Sequence, residues 1–276
     1  MVTNINHDLR VINGRTLVMP AWKGGQEGFG NLTPPDIRDV HSVQQYPVGT
    51  KLQDGERVFY YAQTASGGNG ITVTDLAVKQ KYNQAVGNRT ITVAQVAGDK
   101  SITLTTAGND GFGGSGTVTK NELAGGFILV FPGDNDAFMS RIVSNTLAAS
   151  TSMTVILQDE IPVTVAVNKT AECIANQFTG LETQSTSGDE ETPVAGAAHA
   201  KVTAGYWFWL QTWGPIWFSP DAAVGNAVND HMVVFGGDGA LREVGSSEQR
   251  QVAGFGLAQA YGGGQGAPFI FLQITP

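Results

Sequence analysis

Residues 205–220 read GYWFWLQTWGPIWFSP, and four of the chain's five tryptophans fall within them: Trp207, Trp209, Trp213 and Trp217. Side chains alternate across a strand, so Tyr206, Phe208 and Leu210 share one face while Trp207, Trp209 and Gln211 share the other. Both faces are apolar. One can line the core of its own domain, and the other requires cover, which either the same chain or a second subunit can provide. Aromatics at an interface bury large areas and often form its energetic centre. A carbohydrate platform is a third use for such rings, one that usually brings polar hydrogen-bonding neighbours with it.

The surrounding composition agrees with strands. Glycine, at 36 of 276 residues, is well above its usual share of roughly 7%, and threonine and valine are abundant. Short strands joined by tight turns use this mixture, since β-branched residues fit a pleated surface and glycine supplies positive φ. The chain is long enough for two modest domains or one large all-β unit. Charged residues make up only 14%, about half the ordinary share, which suits a surface partly covered by neighbours in an assembly. The net charge is −8 and the 16 basic residues are scattered, so nucleic acid is not an expected partner.

Cys173 is the sole cysteine, which excludes an intramolecular disulfide and leaves packing to hold the fold. The opening residues lack a basic stretch followed by an apolar run, and no apolar stretch approaches the ~18 residues of a spanning helix. Neither a secretory leader nor a membrane partner is expected.

Three segments are anticipated along the chain. Residues 1–45 read as an extended N-terminal arm, interrupted by Gly24-Gly25 and Pro34-Pro35 yet carrying Leu17, Met19, Trp22 and Phe29, which require a surface to lie on. Residues 46–192 read as a β-rich domain with one short helix, either a separate domain or an insertion between the hairpin of residues 46–63 and the C-terminal barrel. In it Asp54-Gly55 marks a hairpin, residues 75–86 have a capping Asp75 and a helical spacing, and strands are expected at 90–93, 101–106, 127–131, 139–144, 153–157 and 162–167. The polar, acidic stretch 179–192 closes that domain, and 193–276 read as a C-terminal β-barrel or sandwich. The expected class is therefore mainly β, with sandwich or barrel domains, an extended arm and little helix.

Catalytic patterns are not evident. His7, His41, His199 and His231 lie far apart and form no HxH or HExxH pattern. Gly113-Gly-Ser-Gly-Thr117 lacks the second glycine of a nucleophile elbow, and no phosphate-binding glycine motif occurs. Asp134 and Asp136 could share a hard cation, but Gly133-Asp-Asn-Asp136 reads first as a tight turn. Asp159 and Glu160 are adjacent, so on a strand they point to opposite faces and make a poor acid–base pair. No enzymatic activity, metal or cofactor is expected. The residues singled out are interface candidates: Trp22, Phe29, Trp207, Trp209, Trp213 and Trp217.

Three stretches carry a family resemblance. They are residues 34–50 running into 54–62, residues 121–132, and residues 202–215 with Val234-Phe-Gly-Gly-Asp-Gly239 after them. Together they cover about half the chain, and they resemble capsid decoration (cement) and related virion structural proteins of tailed bacteriophages. The resemblance implies a β-rich protein on the outside of a capsid, clamping subunits of the major capsid protein and often trimeric. It would be assembled in the host cytoplasm and located in the virion. A major capsid protein is a poorer match, because no long spine helix is legible. A tail fibre or spike that binds a receptor or glycan is the nearest alternative, and a glycan hydrolase would need two carboxylates converging across a cleft.

Overall fold

The structure, a computed structural model, describes residues 8–12, 14–19, 35–67, 69–81, 86–112, 116–133, 136–149, 151–184, 192–220, 224, 231–245, 250–258 and 269–276. Trp22, Phe29 and Asp134 lie outside these residues, as do 113–115, 185–191 and 262–264. The described chain is all strand and loop, in agreement with the expected mainly-β class.

The strands, in order, begin with β1 (Asp8–Ile12), β2 (Arg15–Met19), β3 (Val40–His41), β4 (Lys51–Asp54), β5 (Arg57–Gln63) and β6 (Ala77–Gln80). Next come β7 (Val86–Thr90), β8 (Ser101–Thr105), β9 (Thr117–Val118), β10 (Phe127–Gly133), β11 (Asp136–Asn145), β12 (Ala148–Ala149), β13 (Ser152–Leu157) and β14 (Thr170–Ile174). The last are β15 (Leu181–Thr183), β16 (Val194–Ala198), β17 (Trp207–Trp217), β18 (Met232–Phe235), β19 (Leu241–Glu243), β20 (Val252–Ala258) and β21 (Phe269–Gln273).

Sheet pairing divides the chain differently from a boundary at 192/193. β7 to β14 pair only among themselves, as a six-stranded sheet in the order β7-β14-β10-β11-β13-β8 with the small β9/β12 ladder beside it. β1–β6 and β15–β21 share one 13-stranded sheet whose main path is β1-β2-β4-β5-β17-β21-β20-β18-β19. The segment from β7 to β14 is thus an insertion into a body built from both ends of the chain. Its core follows the expected period of two: β8 turns Ile102 and Leu104 inward between threonines, and β13 does the same with Met153, Val155 and Leu157. Phe112, from this core, lies so close to Gly180 that a Cβ there would sit 2.3 Å from the ring. Gly180 also holds φ at +71°, so glycine suits the join on both counts.

Where residues 1–45 are described, the surface they lie on is the chain's own body. β1 and β2 make an antiparallel hairpin, β2 pairs with β4, and Leu17 and Met19 are buried with Leu52, Phe59 and Trp209. The glycines and prolines on either side obscured a five-residue strand. The helix expected over 75–86 is replaced by β6, whose four residues are all buried between β15 and β16. Pairing on both edges outweighs a local helical spacing. Residues 162–167 form no strand and touch their neighbour through one bridge, Gln95 to Val165. The Asp54-Gly55 hairpin forms as read, with Asp54 opposite Arg57.

Candidate functional site

β17 runs through the centre of the main sheet and changes neighbours along its length. β5 follows one edge from Trp207 to Trp213. On the other edge β3, β16 and β21 succeed one another, at Trp207–Phe208, Leu210–Gln211 and Trp213–Trp217. Over its first half both faces are covered by the chain itself. Phe208 and Leu210 pack with Ala62, Val78 and Leu181, while Trp209 packs on the opposite side with Leu17, Leu52, Phe59 and Tyr61. Trp209 is fully buried, with ring centroids 5.1 Å from Tyr61 and 5.3 Å from Tyr46. Burial pushes the Tyr61 phenol pKa well above its usual value, and the hydroxyl lies 3.1 Å from His41 Nδ1.

The register against β5 then shifts between Gln211 and Trp213. Gln211, fully buried, fastens this bulge: its Nε2 donates to the carbonyls of Trp213 (3.1 Å) and Pro215 (3.0 Å). With the amide nitrogen so committed, Oε1 must accept from His199 Nε2 at 2.7 Å, which places the imidazole proton on Nε2. Gly214 follows with φ at +95°, and a Cβ there would lie 2.6 Å from the Glu56 carbonyl oxygen.

His199 makes one consequence measurable. Burial lowers its pKa, the bond it donates to Gln211 opposes this, and the positive charges of Arg57 and Arg38 lower it further. The folded value therefore lies below the unfolded value of 6.5, so the unfolded chain takes up the proton first and stability falls as pH drops below about 6.5. Urea midpoints measured between about pH 7 and pH 5 should decline less steeply for His199→Gln than for the parent. Parallel declines would show that His199 contributes nothing.

Beyond the bulge the two faces part company. Ile216 enters a core with Ile270, Leu272 and Val233. Trp213, Pro215 and Trp217 stand on the other face, opposite Gln273, Phe271 and Phe269 of β21. Phe271 stacks on Phe255 (5.5 Å, 5° between planes) and meets Trp213 edge-on (5.6 Å). Trp217, Met232, Val252, Phe255, Leu257 and Phe269 each leave between 38% and 52% of their surface in solvent. No Asp, Glu, Lys or Arg occurs in 213–217, 232–235, 252–258 or 269–273. Isolated exposed apolar residues are ordinary, whereas a contiguous uncharged cluster of this kind is a candidate contact surface.

The candidate residues are thus sorted. Trp209 is core, Trp207 is half-buried against the core, and Trp213 and Trp217 belong to the open face. Sequence reading missed the partners on β18, β20 and β21, because alternation identifies a strand but not which of its faces stays uncovered. Elsewhere, Cys173, Ser140 and Asp110 are engaged within the insertion. Burial raises the pKa of the Cys173 thiol, which lies inside the insertion's core. Ser140 Oγ donates to Asp159, and Asp110 is bound by Arg89. Among the described residues no three His, Cys, Asp or Glu side chains are grouped to hold a metal, and no helix is long and apolar enough to cross a membrane. No protein-family model, curated protein or solved structure matches this chain.

Proposed function

We propose that the chain is a structural virion protein of the decoration (cement) type. In this reading it binds the outer surface of a phage capsid, clamps adjacent subunits of the major capsid protein, and associates with itself, the stoichiometry implied by the resemblance being a homotrimer. The observation that carries the reading is the uncharged aromatic face beyond the β17 bulge. A cluster of exposed aromatic side chains without charge is the kind of surface on which proteins associate, which supports a reading in which the chain works within an assembly. Binding to a repeating lattice is multivalent, so contacts that are weak singly give firm attachment. The reading assigns no catalytic residue and no cofactor.

Its test is position in a particle. Phage particles carrying a tagged copy of this chain, labelled with gold-conjugated antibody and imaged, should show label distributed over the shell. Label confined to the tail would favour the fibre or spike alternative, and unlabelled particles would overturn the virion reading.

A further inference from the structure

We infer that the aromatic face formed by β17, β21, β20 and β18 is covered by a second copy of this chain. The inference deepens the assembly reading and rests on it, because it names the occupant of that reading's surface.

Size is the first argument. The six side chains Trp217, Met232, Val252, Phe255, Leu257 and Phe269, each about 40–50% exposed, together offer on the order of 600 Å², against about 800 Å² per partner in a standard stable interface. The half-buried Trp213 and Phe271 continue the same surface. The face therefore has nearly the area a stable pair of copies requires.

Charge is the second. With a net charge of −8, two copies repel wherever their acidic groups meet. The strands of this face contain none of the chain's 24 acidic or 16 basic residues, so apposing them brings no like charges together.

Shape is the third. Four neighbouring antiparallel strands present rings in rows, with Trp217 beside Phe269 and Phe255 beside Phe271. The established way to cover such a face is another sheet about 10 Å away with its own apolar side inward, and a second copy carries that sheet.

The test needs no capsid. Light scattering of the purified full chain should give a whole multiple of 29.0 kDa, at least twofold. Phe269→Glu should reduce the mass to that of one chain while leaving the far-ultraviolet circular dichroism unchanged. Met232→Glu, on a different strand of the same face, serves if the first variant does not fold. A parent that is monomeric at micromolar concentration overturns the inference, as does an oligomer that survives both substitutions. A monomeric parent that still labels the shell would leave the assembly reading standing without this one. An oligomer absent from particles would do the reverse.

Discussion

In the Phe269→Glu background, expected to be a single chain, Trp209→Ala should lower the unfolding free energy by about 3–5 kcal/mol, whereas Trp217→Ala should change it by less than about 0.5 kcal/mol. The two residues lie eight apart on one strand and are the same amino acid, so the contrast isolates environment. Trp209 is wholly enclosed by Tyr46, Tyr61 and the Leu17–Leu52 cluster, contributed by β2, β4 and β5 and the segment before β4. Truncating it leaves a cavity as large as an indole, which a sheet pinned on both edges cannot close. Trp217 is 39% exposed at the far end, so its removal from the isolated chain takes away little that is packed. One detail sets where in the range Trp209 falls. Its Nε1 is buried with no acceptor among the described residues, so the native state already carries an unpaired donor, worth about 1–3 kcal/mol. Trp209→Phe keeps most of the ring and removes that donor, and should cost markedly less than the alanine change. Denaturant unfolding of the three variants checks this. Equal losses at positions 209 and 217 would contradict the assignment of one residue to the core and the other to the open face.

The same contrast shows what could be read from the sequence. Alternation along 206–211 was sufficient to assign two apolar faces and to require cover on both. It could not say that the cover for the first half comes from residues 17, 52, 59 and 61 of the same chain, because those contacts depend on long-range pairing. Nor could it place the bulge at Gln211–Trp213, which is held by a histidine twelve residues away from Gln211. Local turn chemistry was legible: Asp54-Gly55 joins paired strands as read. What failed was the reading of segments whose state is decided by their neighbours. Residues 77–80 are strand because two other strands flank them, and residues 15–19 are strand because β4 offers an edge. The insertion was one of two readings that the sequence left open, since nothing local indicates that β5 and β17, more than a hundred residues apart, lie side by side.

Asp110→Ala should cost the insertion about 3 kcal/mol, a loss that no reading of the glycine-rich loop 107–116 would anticipate. Asp110 is 2% exposed and its carboxylate accepts four bonds. Arg89 donates twice, from Nε at 2.9 Å and from its terminal nitrogen at 2.7 Å. The backbone nitrogens of Ala107 (2.7 Å) and Gly87 (3.4 Å) donate the others. The side chain thus closes its own turn and ties it to β7, the edge strand paired with β14. Removing one partner of a buried charge pair costs about 3–5 kcal/mol, chiefly because the other is left uncompensated. Arg89 keeps 21% of its side chain in solvent and a bond to Asn109 Oδ1, so it can recover part of its hydration, and the expected loss lies at the lower end. The backbone nitrogens of Ala107 and Gly87, both part-buried, lose an acceptor as well. Amide hydrogen exchange distinguishes this from a global effect: β7 and β14 should exchange faster in Asp110→Ala, while β5 and β17 keep their protection. Arg89→Met/Asp110→Leu, which removes both charges and retains apolar volume, should recover much of the loss. A double variant as unstable as Asp110→Ala would mean that the backbone bonds to the carboxylate, and not the ion pair, hold the loop in place.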